Sequence, residues 1–169
     1  MSKFFRGAMY NINIISYEDN EGVKKLIHTV MPEFGAVGEG FAIVDPEVED
    51  MYTTYSQDGY LYLVVKDEKS NQILGGAGIG PLVGAGAKYC ELKKMYFLST
   101  LRGKGYGKKL LTQLLEAAKN KGYDYCYIET LGNMKGAIGL YEKFGFTLLD
   151  KPLGDTGHFG CNTWYLKEL

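Results

Sequence analysis

The sequence predicts a mixed α/β fold, and three observations carry that reading. Tyr60–Lys66 and Gln72–Leu82 are strand-like runs on either side of the polar turn Asp67–Asn71, a hairpin pattern. The stretch from Leu92 to Phe146 alternates strand, helix, strand, helix. Two segments, one with Val23, Leu26, Ile27 and Val30 and one running from Gly105 to Lys121, carry apolar residues at helical spacing.

The elements follow in order. Met9–Ser16 alternates well enough for a first strand. Asp19 or Asn20 caps a helix with Val23, Leu26, Ile27 and Val30 on one face, ending before Pro32. Phe34–Gly40 is a glycine-rich loop. Asp45-Pro46 sets a cap and an N1 proline before a short helix with Val48, Met51, Tyr52 and Tyr55 turned inward. After the hairpin, residues 81–87 lead into the strand Tyr89–Phe97. The helix from Gly105 to Lys121 buries Leu110, Leu111, Leu114, Leu115 and Ala118. Lys119 and Lys121 suit its negative end, and Gly122 is a fitting residue just past it. Tyr123–Thr130 is a strand. Met134–Phe144 is a helix closed by Gly145, and Thr147–Lys151 and Cys161–Lys167 are final strands.

Composition narrows the function classes. A chain of 169 residues is one domain by length, residues 1–169, and large enough to bury a core. With 46% apolar and 23% charged residues it reads as a soluble globular protein. A net charge of −1 argues against nucleic acid or an anionic membrane as partner. No apolar run approaches the ~20 residues of a membrane span, and no signal-peptide core opens the chain, so the expected compartment is cytoplasmic. Cys90, Cys126 and Cys161 are odd in number and widely spaced, as reduced buried thiols would be. No CxxC occurs, and neither His28 nor His158 has clustered partners in sequence, so no metal is expected.

The chemistry concentrates at one junction. The run Arg102-Gly103-Lys104-Gly105-Tyr106-Gly107 joins a strand to a helix. Alternate glycines there leave backbone N–H groups unobstructed, and the helix start adds partial positive charge, which makes a phosphate or pyrophosphate site. Arg102 stands at its edge, and only Arg6 shares its type in this lysine-preferring chain. A guanidinium suits bidentate phosphate contact. Neither a P-loop nor the GxGxxG dinucleotide fingerprint is matched. Gly75-Gly76-Ala77-Gly78-Ile79-Gly80 has no helix after it, so it reads as a closely packed strand instead.

Two motifs carry a resemblance. Arg102-x-x-Gly105-x-Gly107 resembles the Gln/Arg-x-x-Gly-x-Gly/Ala signature of the GCN5-related N-acetyltransferase (GNAT) superfamily. Ala137-Ile138-Gly139-Leu140-Tyr141-Glu142-Lys143-Phe144-Gly145-Phe146 resembles a second family segment at the expected distance. The resemblance implies a twisted, mostly antiparallel mixed sheet of about seven strands, splayed between the fourth and fifth and flanked by about four helices. It implies acetyl-CoA as co-substrate. Pantetheine would pair with the main chain of Met95 and Phe97, with Tyr96 near the thioester. The pyrophosphate would lie on Gly103, Gly105, Gly107 and Lys108, beside Arg102 and Lys104, with Lys143 as a further cation. The expected acceptor is a primary amine of a small molecule, peptide or protein, and a homodimer is an admissible assembly.

The resemblance also points to Tyr141 as the acid that protonates the leaving thiolate. Glu91 stands where the histone-acetylating branch of the family keeps its base. Glu129 and His158 are further candidates, the imidazole by its intrinsic pKa near ~6.5. Many relatives carry an asparagine seven residues before the tyrosine. Here that position is Met134, with Asn133 one residue earlier. A non-catalytic acyl-CoA-binding module of the same fold is the alternative reading, and the three cysteines raise a ping-pong route through an acyl-enzyme.

Overall fold

The computed structural model describes residues 9–169; Arg6 lies outside them. Seven strands form one sheet: β1 (Tyr10–Ile14), β2 (Leu61–Asp67), β3 (Ile73–Pro81), β4 (Tyr89–Phe97), β5 (Tyr125–Thr130), β6 (Thr147–Leu149) and β7 (Thr163–Glu168). Their order is β1-β2-β3-β4-β5-β7-β6. Only β4 and β5 run parallel; every other neighbouring pair is antiparallel. The helices are α1 (Asn20–Val30), α2 (Met51–Tyr55), α3 (Tyr106–Asn120) and α4 (Lys135–Lys143). None is long and apolar enough to cross a membrane among the described residues.

The sheet separates two cores. On one face α1, α2 and the 3-10 turn before α2 bury Val23, Leu26, Ile27, Val48, Met51 and Tyr55. On the other, the α3 residues Leu110, Leu111, Leu114, Leu115 and Ala118 pack as their helical spacing required. The β3 glycines seat rings from the neighbouring elements. A methyl on Gly76 would lie 2.7 Å from Tyr62, and one on Gly78 2.7 Å from Tyr55. Glycine is required there because the rings occupy the space a Cβ needs.

Several local details differ from the expectations. The segment after Asp45 is a 3-10 turn, Pro46–Glu49, followed by α2, whose cap is Asp50 accepting from the Thr53 amide at 3.1 Å. Asp45 and Asp19 sit at cap positions, but neither side chain caps its helix. Asp19 accepts from Ser16 and pairs with Lys66 at 2.6 Å. Tyr52 faces out and meets Tyr17 edge-on.

Strand β4 controls what comes next. Cys90, Leu92, Met95 and Phe97 all pack toward the α3 core, although a regular strand alternates faces every second residue. The extra residue is a β-bulge. Lys94 takes a left-handed φ of 50°, and the β3–β4 register shifts opposite it, between Gly76 and Gly78. The Tyr62 hydroxyl donates to the Lys94 carbonyl at 2.9 Å and holds the bulge. Beside β5, pairing covers only Tyr89–Glu91 against Tyr125–Tyr127. Beyond that point β5 continues along β7, and the two parallel strands part into a wedge.

Candidate functional site in the wedge

Two cavities meet in the wedge. The larger is a groove of about 620 Å³ along the start of α3 and the exposed side of α4. The smaller is a chamber with about 60 Å³ of free space on the α1 side. Phe34, Met95, Tyr96 and Met134 line both, so the cavities share one wall at the mouth of the wedge.

The groove is built for an anion. Gly105 caps α3 with φ 81°, and Gly103 has φ 74°. A Cβ on either would meet nothing within 4 Å, so the space above them is open. Among the described residues, the amides from Gly103 to Lys108 donate to no main-chain carbonyl. This is the unsatisfied helix start that anions occupy. Gly107 has a second reason to be glycine: a methyl there would lie 3.1 Å from Leu140 and 3.4 Å from Met95, so it also lets α3 approach α4 and β4.

The predicted groove residues divide. Met95, Tyr96, Phe97, Arg102, Gly103, Gly105, Gly107, Lys108 and Lys143 all line it. Lys104 does not; its ammonium turns to Tyr10, 3.3 Å from the hydroxyl and 5.2 Å from the ring centroid, a cation–π contact. Arg102 is held by Glu33 at 2.7 Å and donates through Nε to the Phe97 carbonyl at 2.8 Å. Leu98 N donates to Leu74 across the sheet, and a trans peptide aims successive groups in opposite directions. The Phe97 carbonyl therefore faces the wedge. Lys135 and Gly136, at the start of α4, also line the groove, and nothing in their spacing announced it. Asn133 is engaged elsewhere, donating to the Phe34 carbonyl at 3.0 Å.

The chamber holds a charge cluster assembled from four segments. His158 Nε2 lies 3.0 Å from Asp45 Oδ2, and Nδ1 lies 3.4 Å from Glu129 and 4.0 Å from Glu91. Lys94, its side chain 1% exposed, pairs with Asp45 at 2.6 Å and with Glu47; Lys93 reaches Glu47 at 3.1 Å. Thr156 donates to Glu129 at 2.6 Å and Tyr127 donates to it at 2.8 Å. The fold thus overturns one sequence expectation: His158 has clustered partners, and Glu91, Glu129 and His158 form a group whose ligand-type atoms lie within 4.8 Å of one another. Asp45, read as a helix cap, instead supplies its carboxylate to Lys94 and His158.

The electrostatics sort the groups. Burial pushes Glu91 up to about 7, against the pull of Lys93 and His158. Its side chain is 7% exposed, and its carboxylate faces His158 Nδ1 at 4.0 Å. Burial would lower His158, but Asp45 and Glu129 outweigh it and hold the imidazole up to about 9. Burial would raise Asp45, Glu47 and Glu129, but their cationic and hydroxyl partners keep all three below their usual range. Burial, with Glu129, Glu91 and Asp45 near, lifts the Cys161 thiol to about 12. Tyr141, 4% exposed, also lines the chamber; burial and then Cys126 push its phenol upward. All three cysteines are free, with Cys90 and Cys126 buried.

Glu91 predicts a stability signature. Its folded pKa exceeds the ordinary 4.5. Its contribution is therefore full below about pH 4.5 and is lost as pH rises through about 7, where a buried charge must be carried. The cost at pH 8 is on the order of 3 kcal/mol. Glu91→Gln removes that charge. Its melting temperature relative to wild type rises by several degrees between pH 4 and pH 8, as thermal unfolding followed by circular dichroism will measure. A pH-independent difference refutes the buried-charge account.

Relatives place this architecture. The profile of the Acetyltransferase (GNAT) family matches residues 23–146. The chain is 42% identical over 156 residues to YjgM of Escherichia coli K12, named an uncharacterized N-acetyltransferase, with 92% of each chain covered. It is 30% identical over 129 residues to a Schizosaccharomyces pombe protein, C1271.07c, of the same description, covering 76% of this chain and 77% of that one. In fold it resembles a GNAT-family acetyltransferase from Staphylococcus aureus Mu50, with a TM-score of 0.76 at 22% identity over 95% and 99% of the two chains. It also resembles a phosphinothricin acetyltransferase from Sinorhizobium meliloti solved with acetyl-CoA, with a TM-score of 0.73 at 21% identity over 95% and 88%. The profile match takes in both the glycine junction and the Tyr141 helix, and the parted parallel strands give it its structural counterpart: this chain belongs to the GNAT acetyltransferase family.

Proposed function

We propose that the protein transfers the acetyl group of acetyl-CoA to a primary amine by direct attack. The observation that carries this reading is the shared wall. A groove with free helix-start amides and a chamber with a buried carboxylate, Glu91, meet at Met95, Tyr96, Phe34 and Met134. A cofactor whose pyrophosphate lies over Gly103–Lys108 would reach along the open edge of β4 and present its thioester there.

Each residue then has a task. Glu91 takes the proton of the incoming ammonium; a base poised at about 7 suits work at neutral pH. The freed amine attacks the thioester carbonyl, the C–N bond forms, and the C–S bond breaks. Tyr141 donates its phenolic proton to the leaving sulfur, and the proton that the newly acylated nitrogen sheds restores the phenol. Burial keeps that phenol protonated until then. His158, held at about 9, already carries its proton at neutral pH and serves as a positioning cation between Asp45, Glu129 and Glu91. Direct attack is favoured over an acyl-enzyme because Cys161, the thiol in the chamber, stays protonated. A non-catalytic acyl-CoA-binding module has no use for a carboxylate as costly as Glu91.

Tyr141→Phe tests the assignment. It lowers kcat by roughly 10²–10⁴-fold and leaves the calorimetric affinity for acetyl-CoA near wild type, because only the proton donor is lost. An unchanged kcat, with the chemical step shown to be rate-limiting, returns Tyr141 to packing.

A further inference from the structure

The chamber also constrains what the acceptor amine carries next to its nitrogen. Three cations line it, and each is matched. Lys93 pairs with Glu47, Lys94 with Asp45 and Glu47, and His158 with Asp45 and Glu129 and, at the longer distance of 4.0 Å, with Glu91. The least closely matched group is an anion, Glu91, more than nine-tenths buried and facing only the already shared imidazole of His158, at 4.0 Å. A carboxylate entering this space meets no free cation among the described residues and faces a like charge, an unfavourable arrangement in a desolvated site. An ammonium entering the same space meets Glu91 directly.

Size acts in the same direction. An engineered apolar cavity of ~150 Å³ just accommodates benzene. The chamber's 60 Å³ holds the CH₂–NH₃⁺ end of a chain and little more. Its remaining walls include Met31, Phe34, Ala36 and Phe41, which suit methylenes. A carbon that bears both the amine and a carboxylate adds bulk and the wrong charge in this small space.

We infer that the acceptor is an unbranched primary alkylamine with no carboxylate on the carbon bearing the amine, so that free α-amino acids are excluded as acceptors. The inference rests on the acetyltransferase reading above, and the test separates the two.

The test uses the full chain, acetyl-CoA and detection of released CoA thiol, with matched acceptors. Norleucine, norleucinamide and pentylamine differ only in bearing a carboxylate, a neutral carboxamide or hydrogen at one carbon. Compared per free amine, kcat/KM falls in the order pentylamine, norleucinamide, norleucine, with the last step roughly tenfold or more because it adds the like charge. Norleucine matching or exceeding norleucinamide overturns the inference and leaves the reading intact. So does release of CoA with peptides while pentylamine gives none. No CoA release with any amine or peptide, together with no acetyl-CoA binding by calorimetry, overturns the reading and the inference with it.

Discussion

Gly105→Val weakens acetyl-CoA binding by roughly 10²-fold or more while the protein stays folded. The estimate follows from losing two or more hydrogen bonds from free amides to a charged group, each worth ~1.5–3 kcal/mol. Gly105 caps α3 with φ 81°, and its missing Cβ points into open space at the groove. A branched side chain there stands where the phosphates need to lie and strains the left-handed backbone that aims the amides. Gly122→Val separates these effects. Gly122 also has a left-handed φ, 87°, and open space, but at the far end of the same helix. It suffers similar backbone strain and keeps wild-type affinity. Calorimetry on both variants decides: equal losses, or none at Gly105, remove the pyrophosphate from this junction.

Glu91→Gln lowers the acetylation rate at pH 7 by roughly 10²–10⁴-fold and changes the shape of the rate–pH profile. In the wild type, kcat/KM climbs as Glu91 ionises through about 7. Below that pH the carboxyl is neutral and accepts no proton. In the variant this limb disappears, and the rate keeps rising toward the amine's own pKa, ~10 for an alkylamine. His158→Ala supplies the contrast. The imidazolium lowers the Glu91 pKa, so its removal moves the acidic limb to higher pH without abolishing it. If the limb vanishes with His158 and persists in Glu91→Gln, the imidazole is the base. If both variants keep the wild-type profile, the proton leaves through water by way of Glu129.

The groove side of the wedge was legible because its logic is local. Glycine spacing, a strand before and an amphipathic helix after determine backbone geometry over a few residues, and neighbouring side chains can do little to change it. Nine of the ten predicted groove residues therefore line the groove. The exception, Lys104, is a long exposed side chain on this short run, and its direction depended on Tyr10, 94 residues away. The β3 glycines were legible for the same reason: a flat run with no helix after it can only be packed against.

The chamber side was legible only in part. Glu91, Glu129 and His158 could each be named as a candidate base, but their meeting in one cluster, joined by Asp45 and Lys94, is a product of the fold. The Asp45–His158 contact alone spans 113 residues. Asp45-Pro46 carries the pattern of a helix cap, and only the folded chain shows that its carboxylate turns to Lys94 and His158.

By itself the sequence determined the strand and helix order, the two amphipathic helices, the glycine cradle and the motifs of the family, since each depends on contacts within a few residues. The tertiary structure decided the bulge at Lys94, the length over which β4 and β5 part, and the protonation of Glu91 and His158. A bulge costs local strain that only distant partners repay, here Tyr62, Asp45 and Glu47. A pKa is likewise set by burial and by charges brought from elsewhere in the chain, which no local pattern encodes.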